Sequence, residues 1–265
     1  MVTKIKLWIT DIDGTIMNYD GSFTKEMKAL IDDLNSKDFK MVLATGRMFD
    51  GAYHEIKKFG LKTPCVCYQG AQVRDKDKIL WQSPVRNDLA YEIVKYLKSK
   101  NIHTHIYNND VLYVDDDNKK LMEQYCANRG TTYTVVDNLL DLKFENIPKI
   151  LGVIEDKNLM EETKKELEEK YSKELNIVQS SPIYLEINDK GASKGCALNF
   201  LKEYWGIETK EVLASGDQDN DIELLKNAGV KVCVGKNSKK LLEIADYKCE
   251  SVNSNELVEV IRKCL

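Results

Sequence analysis

Short apolar runs alternate with amphipathic helical segments at both ends of this chain, and no other feature restricts the fold as much. Residues 5–10 are apolar and β-rich. Thr24 then stands where a helix cap belongs, ahead of Met27, Leu30, Ile31 and Leu34 at the i, i+3, i+4, i+7 spacing of one helix face. Residues 39–44 make a second apolar run, a helix is expected to about Phe59 where Gly60 stops it, and residues 65–68 make a third run. Towards the other end, helices are expected over 193–204, 221–228 and 254–264, and strands over 212–215 and 230–234. Strands with apolar interiors, separated by helices, imply βαβ units and a parallel sheet whose faces are both covered.

The pattern changes over residues 85–188. A helix carrying Leu89, Ile93, Tyr96 and Leu97 precedes two strand-like runs, 103–107 and 111–114, that read as a hairpin around Asn108-Asn109-Asp110. Another helix, strands near 132–136 and 150–154, a charged helix over 159–171 and two more strands follow. This is an α+β block inserted into an α/β domain, so the expected division is 1–84 plus 189–265 for one domain and 85–188 for the insert.

Composition narrows the partners. The 265 residues carry 39 Lys+Arg against 43 Asp+Glu, a formal net charge of −4 with the signs interleaved, which lacks the basic footprint that nucleic acid requires. No apolar run approaches the roughly 18 residues of a membrane span, and the first ten residues lack the apolar stretch of a secretion signal. Seven cysteines without a C-x-x-C pair read as reduced thiols in a cytoplasmic protein, and they disfavour zinc.

Four polar clusters stand at or just beyond the carboxyl ends of strands in the outer halves, the edge where open α/β sheets bind ligands. The first is Asp11-Ile12-Asp13-Gly14-Thr15. Two carboxylates at i and i+2 repel unless one is protonated or a cation separates them, and a hard divalent ion such as Mg²⁺ would do so; the alternative is a simple turn cap. The second, Ala44-Thr45-Gly46-Arg47, offers a hydroxyl and backbone amides as an anion cradle, or a turn with a helix cap. The third is Lys194 at a helix start, where its charge and the positive helix end could face phosphate; a solvated surface lysine is the alternative. The fourth, Gly216-Asp217-Gln218-Asp219-Asn220-Asp221, gathers acidic and amide groups that would be electrostatically awkward without a cation.

Other signals have structural explanations. An EF-hand count fails from Asp11, which puts Ile16 at the glycine position, and in the fourth cluster, where Ile222 takes it. The run 229–236 has one residue too many for a phosphate-binding P-loop, and Asn237 stands where Ser or Thr is needed. His103 and His105 lack a third ligand and read as structural, Asp115-Asp116-Asp117 reads as a solvated turn capping the next helix, and residues 161–173 read as a solvated helix face.

Taken in order, the clusters resemble the signature motifs of the haloacid dehalogenase-like (HAD) hydrolase superfamily: Asp11-x-Asp13-Gly14-Thr15, a strand-terminal Thr45, Lys194, and Gly216-Asp217-x-x-Asn220-Asp221. The insert resembles the C2B cap of the Cof-type sugar-phosphatase branch, and the likeness covers essentially the whole chain. It implies an α/β, Rossmann-like parallel-sheet core with an inserted α+β cap. It also implies Asp11 as a nucleophile that forms an aspartyl-phosphate and Asp13 as general acid and then base. By the same resemblance Mg²⁺ would be held by the Asp11 carboxylate, the Asp13 backbone carbonyl and Asp217, with Asp221 acting from behind. Thr45, the Gly46 amide, Lys194 and Asn220 would bind the phosphoryl oxygens. The implied substrate is a small phosphorylated metabolite, a sugar phosphate first of all. The motif Asp-x-Asp-Gly-Thr fits phosphatases and mutases rather than dehalogenases, which do not keep an aspartate at the Asp13 position. A phosphomutase and a non-catalytic phosphate sensor are the competing readings. Two departures stand near the site entrance: Gln69-Gly70-Ala71 where relatives usually show Asn-Gly-Ala, and Gly235-Lys236 where they show Gly-Asn. The sequence leaves the oligomeric state and the cap residues that set specificity open.

Overall fold

The computed structural model describes residues 4–76, 78–115, 118–127 and 131–265. Along the chain come β1 (Leu7–Thr10), α1 (Lys25–Ser36), β2 (Lys40–Leu43), α2 (Phe49–Phe59), β3 (Cys65–Cys67), β4 (Gln72–Asp75) and β5 (Lys78–Gln82). Next are α3 (Asn87–Ser99), β6 (His103–Asn108), β7 (Val111–Val114), α4 (Lys119–Ala127), β8 (Thr134–Val135), β9 (Ile150–Val153), α5 (Lys157–Tyr171), β10 (Leu175–Ser181) and β11 (Tyr184–Asp189). The chain closes with α6 (Lys194–Trp205), β12 (Val212–Gly216), α7 (Ile222–Lys226), β13 (Val230–Val234), α8 (Lys239–Ile244), β14 (Tyr247–Cys249) and α9 (Glu256–Cys264). Contacts divide the chain into two compact units. One holds Met1–Arg47, Ala52–Trp81 and Ser193–Leu265; the other holds Met48–Gly51 and Gln82–Ala192.

In the first unit a sheet of order β14-β13-β12-β1-β2 is parallel throughout. Its central strands β1 and β12 are buried along their whole length, which is why they read as mostly apolar runs rather than alternating ones. Leu7, Ile9, Val42, Ala214, Leu198 and Leu224 belong to one buried cluster, so sheet and helices share a core. β3 continues the sheet beyond β2 through a bridge between Ala44 and Val66, then pairs antiparallel with β4. Thr24 caps α1 as expected, its Oγ1 accepting from the Met27 amide at 3.1 Å, and four apolar residues of the expected stripe are buried.

The second unit is a sheet of order β10-β11-β9-β6-β7-β8, antiparallel except for the β7–β8 pair. The expected hairpin joins β6 and β7: Asn108 pairs with Val111, and Asn109 and Asp110 both take positive φ (49° and 63°), the two-residue turn that matches strand twist. Ile93, Leu97, Ile106, Ile150, Leu167 and Ile187 form this unit's core, so α3 and α5 cover one face of the sheet. Asp115 corrects one expectation. Rather than lying in a solvated turn, it is largely buried, pairs with Lys98 and accepts from the Leu139 amide at 3.1 Å. The cap of α4 comes instead from Asn118, whose side chain accepts from the Leu121 amide at 3.2 Å, while Asp116 and Asp117 lie outside the described residues. All seven cysteines are free thiols. Among the described residues no helix is long and apolar enough to cross a membrane.

Candidate active site

The parallel register decides which side chains meet. Thr10 pairs with Ser215 on β12 and with Leu43 on β2, so the residues that follow these strands leave the sheet side by side at its carboxyl edge. Those residues are Asp11, Gly216-Asp217 and Thr45-Gly46. Beneath them a buried chain of hydrogen bonds ties β1 to β12. The Trp8 indole donates to Ser215 Oγ (2.9 Å), Ser215 Oγ to Thr10 Oγ1 (2.7 Å), and Thr10 Oγ1 to the Asp11 carbonyl (2.8 Å). Each hydroxyl both donates and accepts, so polar groups in otherwise apolar strands carry no desolvation penalty and fix the backbone at Asp11.

Lys194 opens α6 and is wholly buried. Its Nζ donates to Asp11 Oδ1 at 2.6 Å and to Asp221 Oδ1 at 2.6 Å. Burial alone works against its charge, but the two carboxylates outweigh that and hold the ammonium above its ordinary pKa. Gly70, at φ +95°, makes this approach possible: a Cβ there would lie 2.1 Å from the Ser193 carbonyl carbon.

Carboxylate oxygens of Asp11, Asp217 and Asp221 lie within 4.8 Å of one another. Three buried carboxylates surround one ammonium, which leaves negative charge in excess. Burial, ahead of the neighbouring Asp221 and Asp217, pushes the Asp11 carboxyl well above its ordinary value despite Lys194. Burial and then Asp221 push Asp217 up to about 6. Asp221 folds back on its own turn, with Oδ2 accepting from the Asp217 amide at 3.1 Å and the Gln218 amide at 3.3 Å. Asp219, from the same polar run, turns away to Ser238 and to Lys240 at 3.5 Å. A hard cation fits this donor set: oxygen ligands only, buried, with negative charge left over.

Asp13 is gripped on both oxygens by Arg47, Nε to Oδ2 at 2.9 Å and Nη2 to Oδ1 at 2.6 Å. The guanidinium is in turn fixed by Glu55 Oε1 at 2.9 Å, a carboxylate that is itself buried. Burial disfavours the Arg47 charge, yet Asp13 and Glu55 together raise its pKa. Thr45 accepts the Arg47 amide on its hydroxyl at 3.2 Å, which ties the anion-cradle turn to the same arginine. Gln69, at φ +59°, stacks its amide against Gly46, where a Cβ would lie 2.5 Å from Nε2, and accepts from Asn220 Nδ2 at 2.9 Å. Thus Thr45-Gly46 and Asn220, far apart in sequence, are linked by a residue that the motifs flagged only as a departure.

The family model of the haloacid dehalogenase-like hydrolases matches residues 8–261. The chain belongs to this family. Among its relatives, the Bacillus subtilis 5-amino-6-(5-phospho-D-ribitylamino)uracil phosphatase YcsE is 26% identical, over 97% of this chain and 95% of that one. Phosphatase YwpJ of the same organism is 24% identical, over 91% and 93%. A crystal structure of a Thermotoga maritima protein is 28% identical with a TM-score of 0.85, covering 98% of this chain and 97% of that one. A HAD subclass IIB sugar phosphatase shares the fold, with a TM-score of 0.82 at 18% identity, covering 97% and 98%. This HAD hydrolase is an enzyme of the phosphatase kind.

The sequence-expected residues Asp11, Lys194, Asp217 and Asp221 meet in one cluster. Sequence reasoning missed Glu55 and gave Arg47 no role. Arg47 was within reach, since it closes the same turn as Thr45; a glutamate eight residues further along a helix carries no comparable signal.

Proposed function

We propose that this HAD hydrolase is a Mg²⁺-dependent phosphomonoester hydrolase of the cytoplasm, acting on small phosphorylated metabolites, sugar phosphates first among them. The observation that carries the reading is the buried group of Asp11, Asp217 and Asp221 around the Lys194 ammonium. The sugar-phosphate class is supported by the named activity of the phosphoribitylamino-uracil phosphatase and by the fold shared with a sugar phosphatase. Residues 1–84 with 189–265 form the catalytic core in this reading, and 85–188 the cap that selects the substrate.

An Asp11 oxygen attacks phosphorus while the bond to the leaving oxygen breaks, giving an aspartyl-phosphate and splitting one difficult step into two. Asp13 gives its proton to the leaving alkoxide. The carboxylate so formed takes a proton from water, whose oxygen attacks the aspartyl-phosphate, releasing inorganic phosphate and restoring Asp11. Arg47, held by Glu55, holds the Asp13 side chain in place through both carboxylate oxygens. Lys194, Thr45, the Gly46 amide and Asn220 hold the phosphoryl oxygens and offset the charge that builds on them. Mg²⁺, held by Asp11, the Asp13 carbonyl and Asp217 with Asp221 behind, would supply charge neutralisation at the phosphoryl group.

Screening phosphorylated sugars, nucleotides, FMN and pyridoxal phosphate with Mg²⁺ is expected to give free phosphate without sugar-phosphate isomers, and EDTA is expected to abolish release. Isomer formation without phosphate would turn the assignment to a mutase, and full activity in metal-stripped protein would remove the cation. Because Asp217 is raised to about 6, a proton competes with the cation below that pH. The Mg²⁺ concentration for half-activation should therefore climb as pH falls below 6, by up to about tenfold per unit where one proton competes.

Asp13→Asn cannot transfer a proton but keeps the shape of the side chain. It is expected to lower kcat by about 10²–10⁴, the usual contribution of acid–base catalysis. A slow substrate with a good leaving group, such as p-nitrophenyl phosphate, should lose less, since its leaving oxygen needs little protonation.

A further inference from the structure

Asp217 is aimed by donors that the reaction scheme does not use. Thr15 Oγ1 donates to its Oδ1 at 3.3 Å, while the Tyr19 hydroxyl (3.3 Å) and Asn237 Nδ2 (3.5 Å) reach its Oδ2. All three are longer than the roughly 2.5–3.0 Å of O–H···O and 2.7–3.2 Å of N–H···O bonds, so each donor is weak and the three act on the carboxylate together.

Tyr19 is 66% exposed, so its ring adds little to the core. Its segment is nevertheless stapled. The Asn18 amide donates to the Ser22 carbonyl at 2.8 Å, Asn18 Nδ2 to Asn253 at 2.9 Å, and Lys58 Nζ to the Gly21 carbonyl at 3.0 Å. A wet aromatic ring on a pinned turn, with its hydroxyl on a buried carboxylate, has little to do for stability. Gly14 belongs to the same arrangement: at φ +85° it passes so close that a Cβ would sit 2.4 Å from Asp217 Oδ2. On the other side Gly235, at φ +76°, turns the chain after β13 so that Asn237 reaches the same oxygen.

We infer that Tyr19 and Asn237 are positioning residues for a hard divalent cation, acting through Asp217. The inference rests on the cation reading of the Asp11–Asp217–Asp221 group and adds to it the two side chains that set how well the cation is held. Donors behind a ligating carboxylate fix its direction, and their removal characteristically costs metal affinity rather than fold.

The test is direct Mg²⁺ binding by calorimetry on the full chain, with Mn²⁺ binding by electron paramagnetic resonance as a second probe. Tyr19→Phe removes one hydroxyl and Asn237→Ala one amide. Each is expected to weaken Mg²⁺ and Mn²⁺ by about tenfold, at the lower end of the effect of such donors. The melting temperature of the metal-free protein should be unchanged for Tyr19→Phe. Unchanged affinity in both variants would overturn the inference, as would a loss of affinity accompanied by a lower metal-free melting temperature in Tyr19→Phe. Asp217→Asn separates the two levels of argument. If it abolishes Mg²⁺ binding while Tyr19→Phe and Asn237→Ala leave it intact, the positioning role alone fails. If Asp217→Asn binds Mg²⁺ like wild type, the cation site fails and the positioning role with it.

Discussion

Asp11→Asn is expected to reduce phosphate release to below about 10⁻⁴ of the wild-type rate, the scale on which removal of a nucleophile acts. The amide is nearly isosteric but is not a nucleophile at phosphorus, so no covalent intermediate forms. The fold should survive, because Lys194 keeps its 2.6 Å bond to Asp221 and the buried Trp8–Ser215–Thr10 chain ends on the backbone of residue 11, not on its side chain. Metal-free stability of the variant should also fall less towards alkaline pH than that of the wild type. The folded protein holds the Asp11 proton more tightly than the unfolded chain does, since burial raises this carboxyl. Stability therefore falls as pH climbs from the ordinary carboxylate value through the raised one, and the variant escapes that fall. Phosphate release, mass spectrometry for a phosphorylated protein, and melting at pH 5 and pH 8 without metal check all three points. Turnover within tenfold of wild type, or a phosphoryl adduct persisting in the variant, would remove Asp11 from the chemistry.

Much of this arrangement could be read from the sequence because parallel strands place consecutive motifs at one edge. β13 runs over the expected residues 230–234, and Asp11 follows β1 directly. What periodicity cannot supply is the facing of side chains inside a polar run. By charge and spacing alone Asp217, Asp219 and Asp221 have equal claims, and only the motif resemblance singles out Asp217 and Asp221. The tight turn at 219–221 sends Asp217 and Asp221 inward and Asp219 out to Ser238 and Lys240.

The contacts that escaped sequence reasoning are those between distant segments. Glu55 meets Arg47 only because α2 packs back against the turn that follows β2, and its carboxylate looks like any helix-surface acid until it is buried. Trp8, Thr10 and Ser215 interrupt apolar strands as isolated polar atoms, and only the β1–β12 register shows that they satisfy one another. Asp115 misled for the converse reason. A run of three aspartates suggests solvent, whereas Lys98 and the Leu139 amide draw the first of them inward.

Lys194→Met should show the largest loss of stability. The side chain stays unbranched and keeps most of its packing but no longer neutralises Asp11 and Asp221, each 2.6 Å from the lost ammonium. Breaking a buried ion pair from one side typically costs about 3–5 kcal/mol, because the remaining charge is stranded in a poor solvent. That deficit should be fullest near pH 8. Since Lys194 titrates above its ordinary value, its ammonium is charged across the neutral range. In the variant the deficit shrinks towards pH 5, where Asp217, raised to about 6, takes up a proton and relieves the repulsion among the carboxylates. Mg²⁺ should recover part of the stability by binding the folded state alone. Activity should not recover with it: a donor aimed at the developing phosphoryl charge is missing, at a cost of about 10²–10³ in kcat. Urea titrations at pH 5 and pH 8, with and without Mg²⁺, together with phosphate-release kinetics, separate these effects. A variant as stable as wild type at pH 8 would mean that the carboxylates around Lys194 are not charged together in the folded protein, and the case for a cation among them would fall.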